Sequence, residues 1–255
     1  EKEYLKDMKS LKIGSVTKYA RATDHIKEII SQVGRLIKKG CAYKIEDGIY
    51  YDISKFKSYG KLSRRTVLRA EDAVSRIDDS VKKRNKVDFC LWKLAPYRPA
   101  ESGTGAGFSE PSWSSPWGKG RPGWHVEDTA ITEKYFGPQY DIHGGGRDLI
   151  FPHHEAEIAQ MEAISEKSPL VKYWLHSGFL TVNGQKMAKS LGNFITIKDF
   201  LKNHSSRIIR LFSIKTHYRS PIDYNEKAIL QTEKELERID EFIDNLFRNA
   251  LLLKV

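Results

Sequence analysis

The sequence predicts an α/β chain that closes in helices. Three observations carry that expectation. The run "YDIHGGGRDLIFPHHEAEIAQMEAI", from Tyr140, reads as strand, glycine loop and helix, the alternation of a nucleotide-binding sheet. A second β-prone run, "YWLHSGFLTV", follows it. Beyond that, Leu236, Ile239, Phe242, Ile243, Leu246 and Phe247 recur at helical spacing, a stripe expected to face a core.

Taken in order, "EKEYLKDMKS" reads like the middle of a helix, so the chain is expected to be a piece of a longer protein; it lacks the apolar core of a secretory signal. Residues 20–39 place Ile26, Ile29, Ile30, Val33, Leu36 and Ile37 on one helical face, with Thr23 or Asp24 as cap and Gly40 as stop. "CAYKIEDGIYYDISKF" predicts a hairpin about Asp47-Gly48. The charged run "SRRTVLRAEDAVSRIDDSVKKRNK" is expected to be an exposed loop with some helix. "YRPAESGTGAGFSEP", Tyr97 to Pro111, predicts a flexible surface loop or a boundary. The tryptophans of "WSSPWGKGRPGWHVEDTA" argue for an ordered loop that feeds a helix near Val126. "NGQKMAKSLGN" is expected to be a loop and the remainder helical. No internal repeat is visible.

The 255 residues are 40% hydrophobic and 30% charged, the make-up of a soluble globular protein. No apolar run approaches the roughly 20 residues of a membrane span. A net charge of +10 suits a polyanion partner such as RNA, although lysine-rich composition alone also produces it. Cys41 and Cys90 are far apart and form no CxxC pair, which reads as two free thiols in a reducing cytoplasm.

Four short strings carry chemistry. "HGGGRD", His143 to Asp148, is either a tight turn or a place where bare backbone meets a ligand; it does not match GxGxxG, which argues against hydride transfer. In "PHHEAE", His153 and Glu157 stand four apart on one helical face, a spacing that can chelate zinc, while a solvated polar first turn is the plainer alternative. "GWHVED" offers His125, Glu127 or Asp128 as further ligands and Trp124 as the floor of a pocket. In "KMAKS", Lys186 and Lys189 with Ser190 suit the binding of a triphosphate.

These strings occur together with "ARATDHI", "YGKLS", "DFCLWK" and "HYRSPIDY", and in that company the chain resembles the cysteinyl-tRNA synthetases, a family of class I aminoacyl-tRNA synthetases. "KMAKS" stands where the family has KMSKS, with Ala188 in place of serine. The resemblance implies a Rossmann-type catalytic domain, an inserted connective polypeptide and a C-terminal helical bundle. Residues 1–96 would hold the end of the first nucleotide-fold half and the insertion, 97–205 the second half with the lysine loop, and 206–255 the helical region that contacts tRNA. It further implies activation of L-cysteine by ATP with Mg²⁺, then transfer of the cysteinyl group to tRNA(Cys), by a monomeric cytoplasmic enzyme without membrane attachment. Lys186, Lys189 and Ser190 would be catalytic, the two lysines and Gly145 would face ATP, and Trp124, His143 and Asp148 would surround the bound cysteine.

The family's zinc ion recognises the substrate thiolate through ligands that correspond to His153, Glu157 and a cysteine of GWHxEC. Here that last position is Asp128, so either zinc persists on a harder ligand set or thiol selection is metal-free; the change favours the metal-free alternative. The family's HIGH string appears nowhere, so these residues by themselves are expected to lack activity that the whole protein has. Two rivals stand beside this reading. One is the ligase that joins cysteine to the amino sugar in mycothiol synthesis; the other is a non-catalytic RNA-binding paralogue.

Overall fold

The computed structural model describes residues 1–65, 82–95, 97–98, 107–108, 111–188 and 191–252. In chain order the elements are α1 (Lys2–Ser10), α2 (Ile26–Lys38), the strands β1 (Ala42–Ile45), β2 (Gly48–Tyr51) and β3 (Phe89–Leu94), and the short pair β4 (Tyr97–Arg98) and β5 (Gly107–Phe108). There follow β6 (Gly120–Pro122), α3 (Trp124–Phe136), β7 (Tyr140–Gly146), α4 (Glu155–Ser165) and β8 (Val171–Ser177). The chain continues through β9 (Leu180–Val182), β10 (Gln185–Lys186), α5 (Ile197–Asn203), α6 (Ser206–Ile214), β11 (Ile222–Tyr224) and α7 (Glu226–Leu252). Two compact units result, one from Ala20–Leu175 and one from Glu1–Tyr19 with His176–Val255.

In the Ala20–Leu175 unit the sheet order is β1-β2-β3-β6, all antiparallel. Ile29, Val33 and Leu36 of α2 are fully buried against Ile49, Tyr51, Phe89, Leu91 and Trp92 of its main core. Tyr50 and Cys90 alternate to the opposite face and pack with Tyr43. The ladder between β2 and β3 shifts register between Ile49 and Tyr50, so Leu91 is an extra residue, and Leu91 and Trp92 in succession both reach the main core. The hairpin expected about Asp47-Gly48 forms, but Ile45 pairs with Gly48, which puts the turn at Glu46-Asp47. Gly48 serves a different need: a Cβ there would lie 2.5 Å from the Trp92 carbonyl.

Thr23 and Asp24 do not cap α2. They lie in a 3-10 turn, and His25 takes the cap position without a side-chain cap bond, its ring shared between the Arg21 carbonyl at 2.7 Å and the Tyr135 hydroxyl at 3.1 Å. Gly40 ends the helix as expected, in left-handed backbone at φ +71°. The charged run expected as an exposed loop lies mostly outside the described residues, as does the centre of the 97–111 loop, whose flanks pair as β4 and β5.

The glycines of "HGGG" belong to β7 rather than to a loop, and none has positive φ. Contacts between β7 and β8 advance in step, Tyr140 N to the Leu170 carbonyl, Asp141 to Lys172, His143 to Trp174, so the two strands run parallel with α4 between them. Parallel pairing recurs in the other unit between β9 and β11. The architecture is therefore α/β, with its largest described sheet antiparallel.

The other unit packs Phe200 of α5 and Ile208 and Phe212 of α6 against Ile229 of α7. Here two expectations change. "HYRSPIDY" contributes β11, not helix. The apolar stripe of α7 is not core: Leu236 packs against the cluster, but Phe242 is 64% and Phe247 67% exposed. The reason is length. The nine residues of α6 span about 13 Å and the 27 of α7 about 40 Å, so α6 covers only the first part of its partner. Arg207 at the start of α6 marks the limit with a two-pronged ion pair to Asp240, at 2.8 and 2.6 Å. No helix among the described residues is long and apolar enough to cross a membrane.

Candidate active site

Three backbone junctions of the Ala20–Leu175 unit converge on one cluster. The first is the start of α3. Gly123 donates its N–H to the Leu91 carbonyl at 2.9 Å, and a Cβ there would stand 1.9 Å from the Cys90 carbonyl. Only glycine permits this approach, which sets Trp124, His125 and Asp128 beside the end of the sheet. The second is β7, which carries His143. The third is the wide turn Ile150–His154, where Phe151 leaves the helical path (φ −136°, ψ 132°) before α4 begins; it delivers His153 and His154, and the first turn of α4 delivers Glu157.

At the centre is His153. Its Nε2 meets Asp128 Oδ2 at 2.9 Å and Glu157 Oε1 at 3.0 Å, and its Nδ1 lies 2.7 Å from Nδ1 of His125. The indole of Trp124, 46% exposed, covers the His153 ring at 4.2 Å. His143 occupies the other side of Glu157, 3.6 Å from Oε2. It shares a 2.6 Å hydrogen bond with the Tyr140 hydroxyl and packs with the rings of Trp174 and His154, which also touch each other. Gly145 leaves room for His154, whose ring would be 2.8 Å from a Cβ at that position.

Burial sets the protonation pattern. It drives the pKa of His125 down to about 3, helped by the neighbouring His153 and His154, so His125 is neutral. Burial also opposes charge on His153, but the bond to Asp128 and the facing Glu157 carboxylate outweigh it and raise its pKa to about 9. His153 Nδ1–H therefore donates to His125 Nδ1. Burial pushes Glu157 up to about 7 against the opposing effect of His153, and burial with Asp128 beside it raises Glu127 to about 7. Such displaced carboxyl groups gathered in one place mark a site of chemistry.

The donor set fits a divalent ion. Both Glu157 oxygens are buried and have no geometrically sound hydrogen-bond donor among the described residues, although His153 Nε2 stands 3.0 Å from Oε1. Asp128, His153 and Glu157 each offer a ligand atom within 4.8 Å of the others, as do His143, His154 and Glu157. Two oxygens and one imidazole nitrogen are acceptable to zinc without any thiolate.

Five of the expected site residues thus gather in one place: Trp124, Asp128, His143, His153 and Glu157. Asp148 is exposed on the 3-10 turn after β7, its carboxylate beside Gly146, and no hydrogen bond or ion pair joins it to the cluster among the described residues. Lys186 is exposed on β10 in the other unit; Lys189 and Ser190 lie outside the described residues. His154 belongs to the second donor group. Tyr140 and Trp174 were not anticipated. Tyr140 stands three residues from His143, a spacing that carries no signal in a strand. Glu155 faces away from the cluster and accepts from Gly60 N at 3.0 Å and Ser63 N at 2.6 Å, fixing the "YGKLS" loop.

The family described as tRNA synthetases class I (C) catalytic domain matches residues 1–234. The chain belongs to that family. A Cysteine--tRNA ligase of Methanococcus maripaludis is 52% identical over 247 residues, which are 96% of this chain and 49% of that protein. One of Thermococcus gammatolerans is 48% identical over 245 residues, 95% of this chain and 48% of that protein. The chain spans about half the length of the curated relatives it matches. Among solved structures, Mycobacterium tuberculosis methionyl-tRNA synthetase in complex with methionyl-adenylate superposes with a TM-score of 0.58 at 15% identity, over 89% of this chain and 53% of that one, a likeness of fold. The α/β architecture described above is thus that of a class I synthetase catalytic domain.

Proposed function

We propose that the protein to which this chain belongs activates L-cysteine with ATP and transfers it to tRNA(Cys). The observation that carries this reading is the joint one. A chain about half identical to proteins named Cysteine--tRNA ligase also assembles a buried His and carboxylate cluster under a half-exposed tryptophan. In the first step the cysteine carboxylate oxygen attacks the ATP α-phosphorus; a mixed anhydride forms and pyrophosphate leaves. In the second, the 3′-terminal ribose hydroxyl of the tRNA attacks the activated carbonyl, an ester forms and AMP leaves. Neither step needs a covalent bond to the protein, so catalysis rests on positioning and on charge compensation.

The roles are those that the family resemblance implies. Lys186 and Lys189, together with ATP-bound Mg²⁺, offset negative charge on the phosphates, with Ser190 and Gly145 against the nucleotide. Trp124 closes the pocket over His153, His143 lines its far wall, and Asp148 pairs with the ammonium group of cysteine. A zinc ion, when bound, would be held by Asp128, His153 and Glu157 and would supply affinity for a thiolate sulfur. His125 accepts from His153 Nδ1 and thereby turns Nε2 towards the two carboxylates. The division into residues 1–96, 97–205 and 206–255 is part of the same proposal, as are a monomeric state and a cytoplasmic location. Neither the sugar-ligase nor the RNA-binding alternative draws support from the relatives.

The test is pyrophosphate exchange into ATP by the full-length protein, followed by tRNA charging. Exchange that depends on cysteine and not on serine, with esterification of tRNA(Cys), is the expected outcome. Exchange without any tRNA charging, or no exchange with any amino acid, would overturn the proposal.

A further inference from the structure

The lysine loop is braced at both ends by side chains that the chemistry above does not use. At its root, β9 and β10 are joined by Asn183-Gly184, both in left-handed backbone (φ 50° and 76°), a tight turn that suits this dipeptide. Asp223 of β11 secures that turn. Its Oδ1 accepts from Gly184 N at 2.7 Å and from the Thr181 hydroxyl at 2.7 Å, and its Oδ2 accepts from Asn225 at 2.9 Å. These bonds hold its carboxyl below the usual carboxylate range. The Asn183 N–H adds a bond to the Tyr224 carbonyl at 3.0 Å.

Past β10 the ladder has no further strand to pair with among the described residues, and Asn193 takes its place. Its Oδ1 accepts from Ala188 N at 2.9 Å and its Nδ2 donates to the Lys186 carbonyl at 3.1 Å. One group that takes the N–H after a residue and gives to the C=O before it reproduces the pattern by which a parallel strand holds its neighbour. The side-chain amide thus continues the sheet by one residue, about Met187. Two features return Asn193 to that place: Gly192 in left-handed backbone at φ 64°, and a Leu191 N to Ala188 carbonyl bond of 3.1 Å.

We propose that Asn193 is a positioning residue for the lysine loop, fixing the backbone on both sides of Met187 so that Lys186 is presented in one arrangement. The part that concerns ATP rests on the function proposed above; the clamp itself does not. A lysine side chain is long and freely rotating, and a fixed backbone is the available means of confining its ammonium group where phosphate charge develops. Aspartate at position 193 would keep the acceptor for Ala188 and lose the donor to Lys186; alanine would lose both.

The experiment uses full-length protein carrying Asn193→Ala or Asn193→Asp. Hydrogen exchange of the peptide spanning residues 185–192, followed by mass spectrometry without ligand, reads the clamp. Pyrophosphate exchange reads its effect on ATP. For Asn193→Ala we expect exchange in that peptide to quicken about tenfold, from the loss of two hydrogen bonds, with exchange in α7 unchanged. The KM for ATP should rise severalfold while the KM for cysteine holds. Asn193→Asp should fall between the wild type and alanine in the hydrogen-exchange readout, and it serves alone if the alanine variant fails to fold. Unchanged hydrogen exchange in the peptide overturns the clamp. Faster exchange with ATP kinetics unaltered, or with both Michaelis constants shifted alike, overturns the positioning role. A wild type without cysteine-dependent activity defeats the functional reading instead, while hydrogen exchange still decides the clamp.

Discussion

Glu155 and Glu157 sit two residues apart on the same helix, both fully buried, and their surroundings assign them opposite work. Glu155 accepts from two backbone N–H groups of the Gly60–Ser63 loop. Glu157 accepts none among the described residues, and its oxygens face imidazoles on two sides. The first carboxylate is part of the scaffold, because its charge is offset by donors that cannot leave. The second is kept short of donors, which costs stability and leaves lone pairs available to a cation or a substrate proton. Burial by itself does not separate a structural acid from a functional one; where the hydrogen bonds go does.

One substitution, glutamate to glutamine, applied to each position tests that contrast. The largest effect should be on metal affinity. Glu157→Gln should weaken zinc binding, measured by titration calorimetry on full-length protein, at least about 100-fold, near 2.7 kcal/mol, whereas Glu155→Gln should alter it far less. Next comes stability. Glu155→Gln turns an amide NH₂ towards one of two buried N–H groups and should cost about 2–3 kcal/mol in urea unfolding; a cost below about 0.5 kcal/mol would remove the distinction between the two acids. Asp128→Cys, which restores a thiolate beside His153, should tighten zinc about tenfold, and an unaltered affinity would mean that Asp128 does not face the ion. Smallest of all, Phe242→Ser on the uncovered part of α7 should stay within about 0.5 kcal/mol.

Local pattern made α2, the hairpin and the β7–α4–β8 unit legible, because helical spacing, turn dipeptides and glycine runs are written in neighbouring letters. The pairing of His153 with Glu157 was legible for the same reason: a spacing of four puts both on one face. What sequence could not disclose lies across the chain. The β7 glycines read as a loop, yet Gly145 is small because the His154 ring packs on it. Gly48 read as a turn residue, yet it answers to the Trp92 carbonyl. The α7 stripe has the periodicity of a core helix, and only the short reach of α6 leaves it bare. The role of Asn193 depends on two backbone atoms five and seven residues away, which no residue-type rule identifies.

The bare part of α7 also has a mechanical side. From Asp240 to Leu252 the helix extends about 18 Å beyond its last bond to α6. It is a lever with its fulcrum at the Arg207–Asp240 pair. A tilt of about 5° at that fulcrum displaces the far end by about 1.6 Å, enough to break a hydrogen bond there, while the packed side chains near Ile229 scarcely move.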